Sequence, residues 1–254
     1  MGYDPDSNIH PDAGAGGGGP GFFRVSRQPG PLGCDRQPHR GLVFVPESTA
    51  IIHRIDRALA ELPQIGPGLG DYAALVAEFE RWGADEAAFV MLRGELIDLA
   101  AARYRGSSDG PIELVEFNDG AFEFLFDRAL ERTILVHGFS RAVPPNTRDA
   151  SYHRGFPGRP GYDKGHAMAH AQGGREGGPN YFPQLASSNR RLSDIGNLWR
   201  DIETYLARNA GVFAFVRLLY DRGNGGVVPD RVEYGLLDRT NQFRAVVFPN
   251  RANP

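Results

Sequence analysis

From Thr133 to Asn250 the chain is written in short apolar runs divided by turn residues, and this texture constrains the fold more than any other feature. TILVHGF, VFAFVRLLY, RVEYGLL and FRAVVF have the length and the β-branched or aromatic content of strands. Clusters of Gly, Pro, Asn and Asp separate them, and one amphipathic run, LWRDIETYLARN, reads as a helix. Connections of hairpin length are too short for parallel crossovers, so the expected class is α+β with an antiparallel sheet.

Upstream the periodicity differs. Ile51, Ile52, Ile55, Leu59 and Leu62 recur at helical spacing, with Ser48 as the expected N-cap. Further helices are expected over 71–82 and 85–104, the latter with Phe89, Leu92, Leu96, Leu99 and Ala100 on one side. IELVEF at 112–117 reads as a strand, whereas periodicity leaves FEFLFDRAL open between helix and strand. The first forty residues carry GAGGGGPG and QPGPLG, a composition too poor in apolar side chains to offset the entropy of ordering, so a disordered tail is expected there. The chain of 254 residues is 41% hydrophobic, enough for one large or two small cores. Three segments follow: a tail over 1–40, an acidic and mainly helical region over 41–131, and an α+β domain over 132–254.

Charge supports that division. Residues 1–131 hold 11 Arg against 21 Asp and Glu, a formal −10, while 132–254 hold 16 Arg and one Lys against 10 acids, a formal +7. A basic half favours a polyanionic substrate. An acidic half repels phosphate, so it is expected to regulate the basic half or to dock a protein partner. No apolar run approaches the roughly 18 to 20 residues of a membrane helix, and the acidic opening MGYDPDSNIHPD lacks the apolar core of a secretory signal. Cys34 is the single cysteine, which excludes an internal disulfide and suits a reducing compartment. The expected location is therefore cytoplasmic, or outside the cell by a leaderless secretion route.

Among the histidines, His10 and His39 lie in the tail, His53 on an exposed helix side and His137 after a strand. His166 stands apart, in Tyr162-Asp163-Lys164-Gly165-His166, where glycine permits close backbone approach and the chain's one lysine precedes the imidazole. Asn180-Tyr181-Phe182-Pro183-Gln184 follows, then Asn189, then Trp199 and Glu203 one helical turn apart. This series, over roughly 132–250, resembles the DNA/RNA non-specific endonucleases of the ββα-metal (His-Me finger) superfamily.

The resemblance implies a ββα-metal nuclease domain that hydrolyses phosphodiester bonds in DNA, RNA or both with Mg²⁺ or Mn²⁺. It assigns His166 as a neutral general base, Asn189 as the direct metal ligand, and Glu203 as a group hydrogen-bonding the ion's waters. The chemistry is consistent: magnesium needs one or two protein oxygens, and an imidazole with a pKa near about 6.5 is mostly neutral at pH 7. Lys164 takes the place of the arginine usual in the family, keeping the charge without the bidentate geometry. Arg148, Arg154, Arg159 and Asn180 are expected on the substrate side. Asn197 is the alternative metal ligand, since the segment before Trp199 is long. His170 is expected to support its neighbours and Trp199 to be core. A toxin with an immunity protein, or a defence effector with a sensor partner, fits such an enzyme. The rival reading is a nucleic-acid-binding module of the same fold without turnover.

Overall fold

The computed structural model describes residues 46–251 apart from 64, 69, 145–146 and 148–158. The expected tail over 1–40, and Arg148 and Arg154, lie outside the described residues.

Helix α1 spans Pro46–Glu61 and buries Ile51 and Ile55, the centre of the periodic stripe. Ser48 is inside its first turn rather than at the cap; its hydroxyl instead shares hydrogen bonds with the side chain of Asn209. Helix α2 spans Ala73–Trp82, and α3 spans Glu86–Ser107 with Asp85 as N-cap, accepting from the Ala88 N–H at 3.0 Å. On α3, Phe89, Leu92, Leu96 and Ala100 are buried as the pattern predicts, but Leu99 remains 38% exposed.

The strands are β1 (Gly66–Pro67), β2 (Leu114–Asp119), β3 (Phe122–Asp127), β4 (Arg132–Phe139), β5 (Tyr162–His166), β6 (Tyr181–Leu185), β7 (Phe213–Leu219), β8 (Arg231–Leu237) and β9 (Phe243–Pro249). FEFLFD thus resolves as strand, because pairing with β2 and β4 satisfies its backbone on both sides. Seven strands form one sheet in the order β1-β9-β8-β7-β4-β3-β2, and β5 and β6 form a separate hairpin. All pairings are antiparallel, and for the consecutive pairs β2–β3, β3–β4 and β8–β9 the short connections require it. Helix α4 (Ala186–Asn189) and helix α5 (Asp194–Arg208) follow β6, giving the β5-β6-α5 segment its ββα order.

Both faces of the large sheet are covered. On one, Phe213 of β7 meets Phe79 of α2 at 5.5 Å and Phe89 of α3 at 4.9 Å between ring centroids. On the other, Tyr234 of β8 and Phe248 of β9 meet Trp199 of α5 at 5.0 and 5.1 Å. Trp199 is therefore core, as expected. Gly235 is required on the first face, since an added Cβ would sit 2.3 Å from the Phe215 ring. Arg217 and Glu233 stand opposite each other in the ladder on that face as a buried ion pair at 2.7 Å, with the guanidinium over the Tyr72 ring.

The boundary at 131/132 divides charge, not core. Strands β2 and β3 precede it and pair continuously into β4, and one apolar cluster runs from Ile51 to Phe248. The described residues belong to one compact unit. Among the described residues no helix is long and apolar enough to cross a membrane.

His137 lies within β4, not after it, and is buried with Nδ1 lacking a hydrogen-bond partner among the described residues. Burial, then the nearby Arg93 charge, lowers its pKa to about 3. Between that value and the unfolded value near about 6.5, the unfolded chain binds the extra proton, so stability falls as pH falls through this window. Two outcomes are expected. A chain beginning at Glu131 lacks β2, β3 and the α2/α3 cover and should show no cooperative thermal transition by circular dichroism; a sharp transition would contradict the single core. In urea titrations, His137→Leu should lose a component of the acid destabilisation of up to about 1.4 kcal/mol per pH unit below about pH 6.5; parallel pH profiles for parent and variant would rule that origin out.

Candidate active site

The site is built on the β5–β6 hairpin. Its register sets Tyr162 against Leu185, Asp163 against Gln184, Lys164 against Pro183, Gly165 against Phe182 and His166 against Tyr181. Since side chains alternate across a strand, Asp163, Gly165, Phe182 and Gln184 share one face, and Lys164, His166 and Tyr181 share the other. The first face is the buried one, with Phe182 against Trp199 at 6.3 Å. Glycine at 165 has a steric cause: a Cβ there would lie 2.4 Å from Gln184 Oε1 and 2.5 Å from Gln184 Cβ. The close approach read from the DKGH segment is thus an approach to the buried glutamine of β6.

The hairpin is tied to the large sheet by Asn250, a buried residue beyond β9. Its amide donates to the carbonyls of Pro183 and Pro229 at 2.9 and 3.0 Å, and its Oδ1 accepts from the Leu185 N–H at 2.8 Å. The loop after β5 is braced similarly. Tyr234 donates its hydroxyl proton to Gln172 at 2.9 Å, and the Arg141 N–H donates to the Gln172 carbonyl at 2.8 Å.

On the other face His166 makes its contacts. Its Nε2 lies 3.0 Å from Glu176 Oε2, with the two side chains 13% and 6% exposed. The Tyr181 hydroxyl donates to the same Glu176 oxygen, and its ring meets the imidazole edge-to-face at 4.7 Å. The Lys164 ammonium sits 3.7 Å from the Tyr181 ring centroid. Lys164, His166, Tyr181 and Glu176 are therefore one cluster.

Asn189, the last residue of α4, is exposed. Its Nδ2 donates to Asp163 Oδ2 at 3.1 Å, and Arg190 grips both Asp163 oxygens at 2.8 and 2.6 Å. The Arg190 hydrogen bonds, with a smaller contribution from Asn189, hold the Asp163 carboxyl below its ordinary pKa against partial desolvation. Asn189 therefore meets the strand of His166 three residues earlier, on the alternate face. Glu203 accepts from the Trp199 indole N–H at 3.0 Å and pairs with Arg200 at 3.2 Å, within α5 as the one-turn spacing predicts. Asn197 is exposed in the first turn of α5.

Asn180 departs from the expected substrate role. It is buried, its Oδ1 accepts from the Met168 N–H, and its Nδ2 donates to the carbonyls of Met168 and Arg175, so its amide braces the loop. Arg159 is exposed just before β5, bridged to Tyr162 through the backbone. The His170 ring Nε2 lies 3.0 Å from Thr147 Oγ1. Among the described residues no three His, Cys, Asp or Glu converge as a metal site.

Sequence reading missed Glu176, Tyr181 and Arg190 as members of the site. Tyr181 lay inside the quoted NYFPQ segment, and hairpin pairing alone would have set it opposite His166. Glu176 had no such marker, since it comes from an irregular loop between the strands.

No protein-family model matches the chain, and no curated protein matches it. Among solved structures it is similar to the EndoG/EndoGI complex, described for the mechanism of EndoG inhibition, at 17% identity over 57% of this chain and 77% of that one, with a TM-score of 0.38. It is also similar to the Sda1 nuclease with bound zinc ion, at 16% identity over 36% of this chain and 39% of that one, with a TM-score of 0.31. At these scores neither likeness assigns a role to a residue, and the chemistry rests on the geometry above.

Gly165→Ala should destabilise the protein by about 1–3 kcal/mol, the usual range for forcing an extra carbon into a packed site. Thermal unfolding of parent and variant reads this directly, and an unchanged midpoint would show that Gln184 yields without cost.

Proposed function

We propose that the chain is a divalent-metal-dependent endonuclease that hydrolyses phosphodiester bonds in DNA, RNA or both, as the sequence resemblance implies. The observation that carries the reading is the orientation of Asn189. Its Nδ2 is committed to Asp163, so the end of the amide turned elsewhere is the carbonyl oxygen, the end suited to a hard cation, on an exposed side chain. The donor chemistry fits Mg²⁺ or Mn²⁺, which need few protein oxygens. Asn189 would hold the ion directly and Glu203 would act from the outer shell. When bound, the metal supplies a Lewis acid for the developing charge on the phosphate oxygens.

His166 takes a proton from the attacking water through an imidazole nitrogen. Lys164, on the same strand face, contributes fixed positive charge toward the phosphate. Arg159 is exposed beside the strand and is suited to backbone phosphates, which carry no sequence information. The proposed setting is a toxin held by an immunity protein, or a defence effector governed by a sensor partner.

Cleavage of supercoiled plasmid and of single-stranded RNA, with Mg²⁺ or with EDTA, tests the activity. His166→Ala should lower turnover by at least about 10²-fold, the cost of a lost general base, while nucleic-acid binding persists. An undiminished rate would remove His166 from the site. Asn189→Ala should raise the Mg²⁺ concentration for half-maximal activity more than Glu203→Gln does. A larger metal defect from Asn197→Ala would reassign the ligand. Binding without cleavage in either metal would favour the non-catalytic module.

A further inference from the structure

The Glu176 carboxylate is nearly excluded from solvent, and burial of a charge is costly unless donors meet it. Among the described residues, the Tyr181 hydroxyl donates to one of its oxygens and the His166 Nε2 lies 3.0 Å from the same oxygen. The contact is built from both sides of the hairpin. Tyr181 is brought to it by its register opposite His166. Glu176 is brought to it by the Asn180 amide, which donates to the carbonyl of Arg175, the residue immediately before Glu176, while also clasping both backbone groups of Met168. Gly174 lies so close to this turn that a Cβ would fall 2.0 Å from the Met168 carbonyl oxygen. A loop closed this tightly holds its carboxylate at a set position instead of presenting it to solvent.

Resting on the nuclease reading above, we infer that Glu176 is the positioning residue of His166. The carboxylate accepts a hydrogen bond from Nε2–H, fixes the neutral ring in that tautomer and leaves the lone pair on Nδ1 as the base. A neutral imidazole carries one proton, so an acceptor held at Nε2 decides which nitrogen is basic. The same acceptor stabilises the imidazolium formed when Nδ1 takes a proton from water, and the proton balance closes within the ring: Nε2–H is retained and Nδ1 gains the proton. Tyr181 donates to the carboxylate and keeps it from rotating away, while its ring packs against the imidazole edge-to-face. Glu176 itself touches neither substrate nor metal in this scheme.

The test uses the full chain with ¹⁵N-labelled histidine and the variants Glu176→Ala, Glu176→Gln and Glu176→Asp. In the parent, His166 should give a slowly exchanging Nε2–H resonance, assigned by its loss in His166→Ala. Glu176→Ala should abolish that resonance and lower kcat by about 10²-fold with KM changed by less than about threefold, and Glu176→Asp should restore part of both. Glu176→Gln, nearly isosteric, serves if the alanine variant fails to fold; it should lose most of kcat as well. A proton found on Nδ1 in the parent, or parental kcat in a folded Glu176→Ala or Glu176→Gln, would overturn the assignment. A parent that cleaves nothing with Mg²⁺ or Mn²⁺ would overturn the nuclease reading instead. The Nε2–H resonance would then still decide whether Glu176 holds the ring.

Discussion

A sheet with two apolar faces must have both of them covered, and the rest of this molecule follows from that requirement. Residues 213–218 of β7 are all buried, which is why the strand reads as a nearly continuous apolar run instead of an alternating one, broken only by Arg217, whose charge is met by the buried Glu233. Helices α2 and α3 close one face through Phe79 and Phe89, and α5 closes the other through Trp199. Neither cover is an appendage, because removing one would expose a continuous apolar surface. The acidic region is thus a structural layer of the unit that carries the candidate site.

The site inherits its precision from the second cover. His166 is placed by hairpin register, the hairpin is placed by Asn250 at the far end of the chain, and the strands approach closely enough only because Gly165 leaves room for Gln184. Each step is a backbone or steric constraint on a rigid element, the kind of support that holds a reacting group in one geometry.

Part of the opposed charge of the two halves is matched between them, while other arginines of the basic half pair with acids of their own half, such as Arg190 with Asp163 and Arg231 with Asp221. Glu47 pairs with Arg208, Asp56 with Arg244, Asp109 with Arg222 and Asp119 with Arg175. Pairs at the surface contribute about 0–1 kcal/mol each, so burial holds the layers together and the ion pairs match charge across them. Arginines engaged in this way add less to a phosphate-binding surface than the formal +7 suggests. Arg159 is exposed immediately before β5.

The sequence by itself determined the local elements and their class. Periodicity located α1, α2 and α3, short connections required antiparallel pairing, and the spacing of Trp199 and Glu203 placed them one turn apart on α5. It also singled out the DKGH strand, whose glycine is needed for close approach. Tertiary structure decided what depends on contacts between segments distant in the chain. The first six residues of FEFLFDRAL became a strand only because β2 and β4 lie on either side of them, and the apparent boundary at 131 vanished because β3 pairs across it with β4. Asn180 became a loop brace, since its amide is saturated by backbone groups no local pattern reveals. Glu176 joined His166 from an irregular loop, and Asn189 was turned by Asp163. Charge and periodicity are properties of short stretches and can be read along a chain. Which groups share a buried space is fixed only when the sheet and its two covers close on one another.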